Sequence, residues 1–543
     1  MSKKLNKNSF IQGTLIASIC IILVKILGAL YVIPFYKIIG EQGGTLYSYA
    51  YTIYNLFLNI STAGIPIALS MIVSELYTKK MFEAKERSYN ISKKIITFLS
   101  IFSFVFIFLL AKPIAAFLVS GNIGYNNLDD IALVIRAISF CLLITPFLSA
   151  IRGYLQGHKF ISSSSYSQII EQVIRIIIVL LGSYLAVRVF NLGISIGVAI
   201  SLTGAFFGAL FAYIFLKIKI SKNKESFPTK VEKDNITNKE IIKMFIKYCI
   251  PLILTAIVAN LYDTIDLKLI IKGLNAINYD SKEVELIASI ITTWSPKICV
   301  IITAVSTGLV TSLIPHIISG FVKNDIEDVN NKFNQAISIL LYAIIPMTLA
   351  IIFLSSDIYY IFYGYSVYGP FILKFIAIVN CFFALLTVLN TVLQGVKNFK
   401  LVYINTFTGL IVNTILDIPL IYLFNSIGIT PYIATIISSI IGNFISISIV
   451  IVSLKKKYNF NYSIIISNIK RMVLPTITMI LILSIRHFIN IEHNMINSII
   501  IPIILGGVSC LSYLFITYKN GLLKDIIGIK NIKIPFIKKK KDF

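Results

Sequence analysis

Stretches of twenty or more predominantly apolar residues, separated by short charged loops, recur along the whole chain. A bilayer core about 30 Å thick requires about 20 such residues per helix, whereas a strand of a membrane barrel shows only about ten residues of alternating polarity. In lipid each backbone N–H and C=O must be satisfied within the segment or its neighbours, so runs of this length are helices. The pattern predicts an all-α integral membrane protein of about fourteen spans. They fall approximately at 10–36, 45–74, 95–118, 131–155, 161–187, 194–216, 248–271, 286–320, 333–355, 367–395, 401–424, 429–454, 472–485 and 496–518. Composition agrees: 13% of residues are charged and 57% hydrophobic, against about a quarter charged in a soluble domain. That is too little polar surface to cover a soluble globule.

The 49 Lys and Arg against 24 Asp and Glu give a formal charge of +25. Most of these cations sit in the N-terminal tail, the even-numbered loops and the C-terminal tail, which places both termini in the cytoplasm of a multi-pass cell-membrane protein. The basic stretches Lys217–Lys247 and Lys538–Lys541 are then expected to meet anionic lipid headgroups, and no nucleic-acid partner is expected. Lys3, Lys4 and Lys7 precede an apolar run too long for a secretory signal and lacking an A-x-A site, so the run is expected to remain as the first helix. The cysteines, Cys20, Cys141, Cys249, Cys299, Cys381 and Cys510, lie in or beside apolar segments without metal-ligand spacing.

A repeat organises the chain. Leu155-Gln156-Gly157-His158-Lys159 closes the fourth helix and Leu393-Gln394-Gly395-Val396-Lys397 the tenth, while Ser61-Thr62-Ala63-Gly64 resembles Ser306-Thr307-Gly308. Six helices map onto six in the same orientation, as in transporters built from parallel duplicated halves. The expected division is an N-lobe (1–218), a basic cytoplasmic linker (219–246), a C-lobe (247–455), two additional helices (456–520) and a basic tail (521–543). Prolines such as Pro34, Pro251, Pro346 and Pro419 interrupt many spans and permit bending.

Ionisable side chains at membrane depth are costly and mark interiors or cavities. Here they are Lys25, Arg136, Arg152, Arg175, Lys268, Lys297 and Lys374, with Glu171, Asp263, Asp266 and Asp417. Arg152 lies near the cytoplasmic end of its helix and is expected to snorkel. Glu171 and Arg175 stand four apart and can pair, as a structural or gating ion pair. Lys25 and Lys297 have no acidic neighbour one turn away. Together with Arg136, Arg175 and Asn55 they are the expected lining of a cationic cavity for a phosphate-bearing substrate. Asp263 and Asp266 share one helical face, as do Asn413 and Asp417; such oxygens suit a hard cation such as sodium or a proton relay, although Asp266 could instead neutralise Lys268 or Arg175.

Catalytic signals are weak. His158, His316, His487 and His493 have no nucleophile or metal-ligand spacing around them, and no Gly-rich phosphate loop occurs. Asp129 and Asp130 admit a membrane glycosyltransferase as a rival reading. A cationic-drug exporter would need an acidic cavity, whereas basic residues predominate here.

The two six-helix lobes, the Leu-Gln-Gly signals and the two added helices resemble the multidrug, oligosaccharidyl-lipid and polysaccharide exporter superfamily. Lys25-Ile26-Leu27-Gly28, Ile33-Pro34-Phe35-Tyr36, Ile39-Gly40 and Gly64-Ile65-Pro66 look like the Gram-positive MurJ type of flippase, related to the stage V sporulation protein B group. The resemblance implies a transporter, not an enzyme. It would move the undecaprenyl-pyrophosphate peptidoglycan precursor lipid II, or alternatively an exopolysaccharide or spore-wall lipid carrier, by alternating access. It further implies no cofactor beyond sodium as a possible coupling ion, held by Asp266, Asn413, Asp417 and Thr435, with Asp263 nearby. The partners expected are the lipid-linked anionic glycan, membrane lipids and the cell-wall synthesis machinery, with the chain a monomer. The added helices would form a groove for the lipid tail. The chain departs from one branch of the family, which carries Arg-Asp late in the first helix, where Tyr31 and Val32 stand here.

Overall fold

The computed structural model describes residues 20, 23–62, 69, 72–73, 75–76, 81–119, 124–158, 160–223, 236–322, 324–488 and 494–527. The N-terminal lysines, Gly64-Ile65-Pro66, Lys159, His493, most of the basic linker and the tail beyond 527 lie outside the described residues.

Every regular element among the described residues is helical. After a helical stretch at 23–30 come α1 (Val32–Thr62), α2 (Phe82–Leu109), α3 (Ala111–Val119), α4 (Leu128–Ser139), α5 (Thr145–Gly157), α6 (Ile161–Tyr184), α7 (Ile194–Ser221), α8 (Asn238–Ala276) and α9 (Ser281–Ser289). The chain continues through α10 (Ser295–Val322), α11 (Ile326–Phe353), α12 (Ser355–Tyr363), α13 (Gly369–Gly395), α14 (Phe399–Ser426), α15 (Ala434–Tyr458), α16 (Ser463–Phe488), α17 (Met495–Lys519) and α18 (Leu522–Ile527).

Among the described residues, 12 segments are long and apolar enough to cross a membrane. The first two expected spans meet in one helical path, Leu23–Leu58, bent where Gly40 takes φ +63°, a conformation that costs glycine little. The seventh expected span is the middle of α8, which is not among the 12. Its N-terminus is fixed by a capping box: the Thr237 hydroxyl accepts from the Glu240 N–H, and the Glu240 carboxylate accepts from the Thr237 N–H at 2.7 Å. Those hydrogen bonds from the Thr237 backbone and hydroxyl hold the Glu240 carboxyl below its ordinary pKa.

Many large apolar side chains face outward, among them Phe98, Leu109, Leu474, Ile503 and Leu511. A soluble protein does not leave so much contiguous apolar surface in water. This is a multi-pass membrane protein.

The chain forms two compact units, one of residues up to Ala304 with Phe399–Ser446, the other of Val305–Asn398 with the chain from Ile447 onward. In the first, α6 and α7 make the most extensive helix pair. Gly204 and Gly208 permit it, since a Cβ on either would lie 2.9 Å from the Arg175 carbonyl oxygen or 2.6 Å from that of Glu171. Sequence spacing alone does not reveal this approach, which fixes the two ionisable residues of α6.

The second unit has a core of Leu354, Met479, Leu483, Ile501, Leu505 and Tyr513. Beside it Arg486, at the end of α16, donates through Nε to Asp357 Oδ2 at 2.6 Å and through a terminal nitrogen to Oδ1 at 3.0 Å. Asp357 is 1% exposed, and removing one partner of such a pair leaves a buried charge uncompensated. Asp357→Ala is therefore expected to lower stability by about 3–5 kcal/mol, measured as a lowered Tm in detergent. The double variant Asp357→Leu with Arg486→Met is expected to recover most of that loss.

Candidate functional site

All the sequence-predicted site residues belong to the first unit. Lys297, in the first turn of α10, lies against three aromatic rings. Its Nζ is 4.1 Å from the Tyr47 ring centroid, 4.4 Å from Trp294 and 5.1 Å from Tyr51. The ammonium is buried and, among the described residues, meets no hydrogen-bond acceptor. Its charge is therefore balanced by ring quadrupoles rather than by a carboxylate, each desolvated contact contributing about 2 kcal/mol. The expectation of an uncompensated cation is refined accordingly: Lys297 lacks an acidic partner but is caged.

Local backbone structure builds the cage. Ile290–Trp294 forms a single π-helical turn, a feature concentrated at functional sites. Ser48 of α1 joins that turn to its neighbour, its hydroxyl lying 2.8 Å from Thr293 Oγ1 and 3.2 Å from Thr292 Oγ1. Gly44 lets the indole approach α1, because a Cβ there would stand 2.9 Å from Tyr36 Cε2 and 3.2 Å from Trp294 Nε1. Tyr47 and Tyr51, four apart on α1, present stacked rings 5.4 Å apart. Asn55, four residues further along the same helix, is half-buried.

Arg175 lies within electrostatic reach of Tyr31, Tyr47 and Tyr54, and Tyr47 is itself one of the rings around Lys297. Glu171 receives Arg175 at 2.5 Å and Arg152 at 3.0 Å. The expected pair on α6 is present, and Arg152 joins it. Arg152 does not snorkel, because Glu171 on the neighbouring helix supplies a counter-charge and Ser167 Oγ accepts from its Nε at 2.8 Å. The group carries one net positive charge. Lys25 is half-buried; one turn on, a Cβ at Gly28 would lie 3.3 Å from Gln172 Nε2, so this face of the first span approaches α6 at Gln172. Arg136 packs elsewhere: its Nε donates to the Phe108 carbonyl at 3.4 Å and its guanidinium lies 5.9 Å from that ring.

A second, acidic cluster joins α8, α14 and α15. Asn413 Nδ2 donates to Asp266 Oδ1, and Asn413 Oδ1 receives both Ser438 and Ser439 at 2.9 Å. Ser439 also donates to Asp266 Oδ2 at 3.2 Å, and Ser438 to Asp417 Oδ1. Asp417 Oδ2 and Thr435 Oγ1 are buried without a hydrogen-bond partner among the described residues. Neither expected neutraliser reaches Asp266: Lys268 Nζ lies 3.2 Å from the Phe117 ring centroid, and Arg175 is held by Glu171. Asp263 is exposed and stands outside the hydrogen-bonded set. Two carboxylates, an amide oxygen and three hydroxyls in one buried cluster form a donor set that fits a hard monovalent cation.

Sequence reasoning did not single out the cage rings or Ser438 and Ser439, although the i, i+4 tyrosines and the only tryptophan of the chain, three residues before a membrane lysine, were visible. The buried carboxylate of Glu285 was also missed. It accepts from the Tyr125 N–H at 2.8 Å, from Asn126 Nδ2 at 3.4 Å and from the Tyr49 hydroxyl at 3.4 Å. The connection before α4 is thereby tied to α1 and α9, and Asn126 Nδ2 also donates to Thr45 Oγ1 at 2.6 Å. Asp129 and Asp130 open α4, where Asn127 caps the Asp130 N–H and Lys112 pairs with Asp129 at 2.7 Å. That is a helix-start arrangement, with Asp129 and Asp130 in the first turn and Asp129 paired with a cation.

Residues 10–306 match the family described as polysaccharide biosynthesis protein. The chain belongs to the polysaccharide biosynthesis protein family. The chain is 29% identical to the lipid II flippase MurJ of Bacillus subtilis (strain 168), covering 97% of each chain. Its fold is similar to that of a solved lipid II flippase MurJ in an inward closed conformation, with TM-score 0.67 and 16% identity over 95% of this chain and 100% of the other. It is also similar to the inward-facing conformation of a multidrug resistance transporter of the MOP superfamily, with TM-score 0.62 and 12% identity over 80% of this chain and 94% of that one.

Proposed function

We propose that the chain is a flippase moving lipid II, the undecaprenyl-pyrophosphate-linked peptidoglycan precursor, from the inner to the outer leaflet of the cell membrane. The observation that carries this reading is the end-to-end match to a lipid II flippase, 97% of both chains. A match of that extent includes the last two long helices, α16 and α17. Those helices form the groove for the polyprenyl tail, and the full complement is fourteen spans in two six-helix lobes with both termini cytoplasmic. The clustering of lysine and arginine in alternate loops supports that topology. The chain works as a monomer and stands beside the cell-wall synthesis machinery.

Within this reading Lys297, Arg175 and Lys25 meet the pyrophosphate. The cage keeps the Lys297 ammonium desolvated until an anion enters, so the anion displaces aromatic faces rather than bound water. The Glu285 knot closes the outer end while the headgroup loads from the cytoplasm. Asp266, Asn413, Asp417, Thr435, Ser438 and Ser439 would hold sodium, which supplies the charge balance that couples an ion gradient to the conformational cycle.

The test is depletion of the resident flippase in a bacterial host expressing this chain. Growth should be restored and labelled lipid II should become accessible outside the cell. Well-expressed protein that restores neither would reject the proposal.

A further inference from the structure

A cleft of about 590 Å³, lined by polar side chains together with Ile464 and Ile526, lies within the second unit between the first turns of α11 and α16, and a cavity of about 600 Å³ continues it, the two sharing Asn331, Ser463 and Ile464. Its walls follow from helix periodicity. Asn330, Asn334 and Ser338 are four apart on α11, as are Ser463, Ser467 and Arg471 on α16, so each helix lines the cleft with a polar stripe. Polar residues are ordinary at helix ends near a membrane surface, but there they face water. Asn334 is 1% exposed; its amide nitrogen donates to the Asn461 carbonyl at 2.8 Å, while its Oδ1, like that of Asn330, has no partner among the described residues. A buried amide oxygen left in this state requires a donor.

The charges of the lining do not favour an anion. Arg471 is paired with Asp525 of α18 at 2.6 Å, and the lining of the continuing cavity contains one cation, Lys457, and one anion, Glu327. What remains is neutral amide and hydroxyl chemistry beside the ring of Tyr458. Such groups recognise vicinal hydroxyls and acetamido groups, with an aromatic face for the apolar side of a pyranose ring. We propose that this cleft binds the sugar portion of a glycosylated ligand, as a site separate from the cationic cage. This rests on the reading of the chain as a carrier of a lipid-linked glycan, and on the proposed topology the cleft opens to the cytoplasm, where that glycan is made.

The experiment uses the purified full-length chain in detergent and, as probe, a neutral disaccharide of N-acetylated hexosamine carrying no lipid or phosphate, with binding followed by saturation-transfer NMR. Wild-type protein is expected to bind at millimolar sugar. Asn331→Ala combined with Gln335→Ala, both exposed in the lining of the cleft, should weaken binding at least tenfold with Tm unchanged, and Lys297→Ala should bind as wild type. Absence of wild-type binding, or equal binding by the double variant, overturns the proposal. Sugar binding is read without transport, so failure here with growth rescue intact removes only this site, whereas sugar binding without rescue removes the flippase reading and leaves the site.

Discussion

Lys297→Ala is expected to lower flipping by about 10- to 100-fold, the loss of one charge-assisted hydrogen bond of about 1.5–3 kcal/mol at about 1.4 kcal/mol per decade. The effect should appear as failed rescue of a flippase-depleted host by protein of normal abundance. Lys297→Arg keeps the charge and should retain part of the activity, though a planar guanidinium stacks on rings differently from a compact ammonium. The same variants carry an internal readout. Trp294 is the only tryptophan of the chain, and its ring lies 4.4 Å from Nζ, so its emission reports on the cage and on nothing else. Emission should change in Lys297→Ala, and in wild-type protein when a pyrophosphate-bearing lipid is added; the added lipid should leave the Ala variant unaltered. Normal flipping together with a lipid-induced emission change in Lys297→Ala would reject the assignment of this lysine to the substrate.

That the chain is an all-α, multi-pass membrane protein was legible in the sequence because the bilayer imposes it: hydrocarbon thickness sets the length of an apolar run. The charged candidates were few for the same reason, since membrane depth penalises every ionisable side chain. The surroundings of those charges were not legible. Tyr47, Tyr51 and Trp294 are apolar enough to pass as packing, and only the close approach at Gly44 and the π-turn before Ser295 turn them toward Lys297. Arg152 looked like a residue reaching for the interface because helix position was known and its neighbour was not. Asp263 and Asp266 share a face by periodicity, yet only Asp266 enters the cluster, because the partners Asn413 and Ser439 arrive from α14 and α15. Spacing within one helix places a side chain on a face; contacts between helices decide what it meets.

The acidic cluster yields the second large effect. Asp417→Asn, and separately Asp266→Asn, should abolish sodium-dependent stabilisation of the purified protein and reduce flipping by at least about tenfold, the cost of about 1.4 kcal/mol or more of lost coupling. The reasoning is a count of donors. Ser438 has one hydroxyl hydrogen but faces Asn413 Oδ1, Asp417 Oδ1 and the Thr435 carbonyl, while Asp417 Oδ2 and the Thr435 hydroxyl oxygen remain without a partner among the described residues. Oxygen lone pairs outnumber the hydrogens available to them, and two carboxylates in low dielectric repel. A bound cation resolves both. A ligand that binds only the folded state raises stability by about 2.7 kcal/mol at 100 times its Kd, so wild-type Tm should climb with sodium at constant ionic strength and not with potassium. An amide in place of either carboxylate keeps the volume and removes the charge, which should flatten that response while the chain remains folded. A wild-type Tm indifferent to sodium but rising as pH falls would assign the cluster to a shared proton instead.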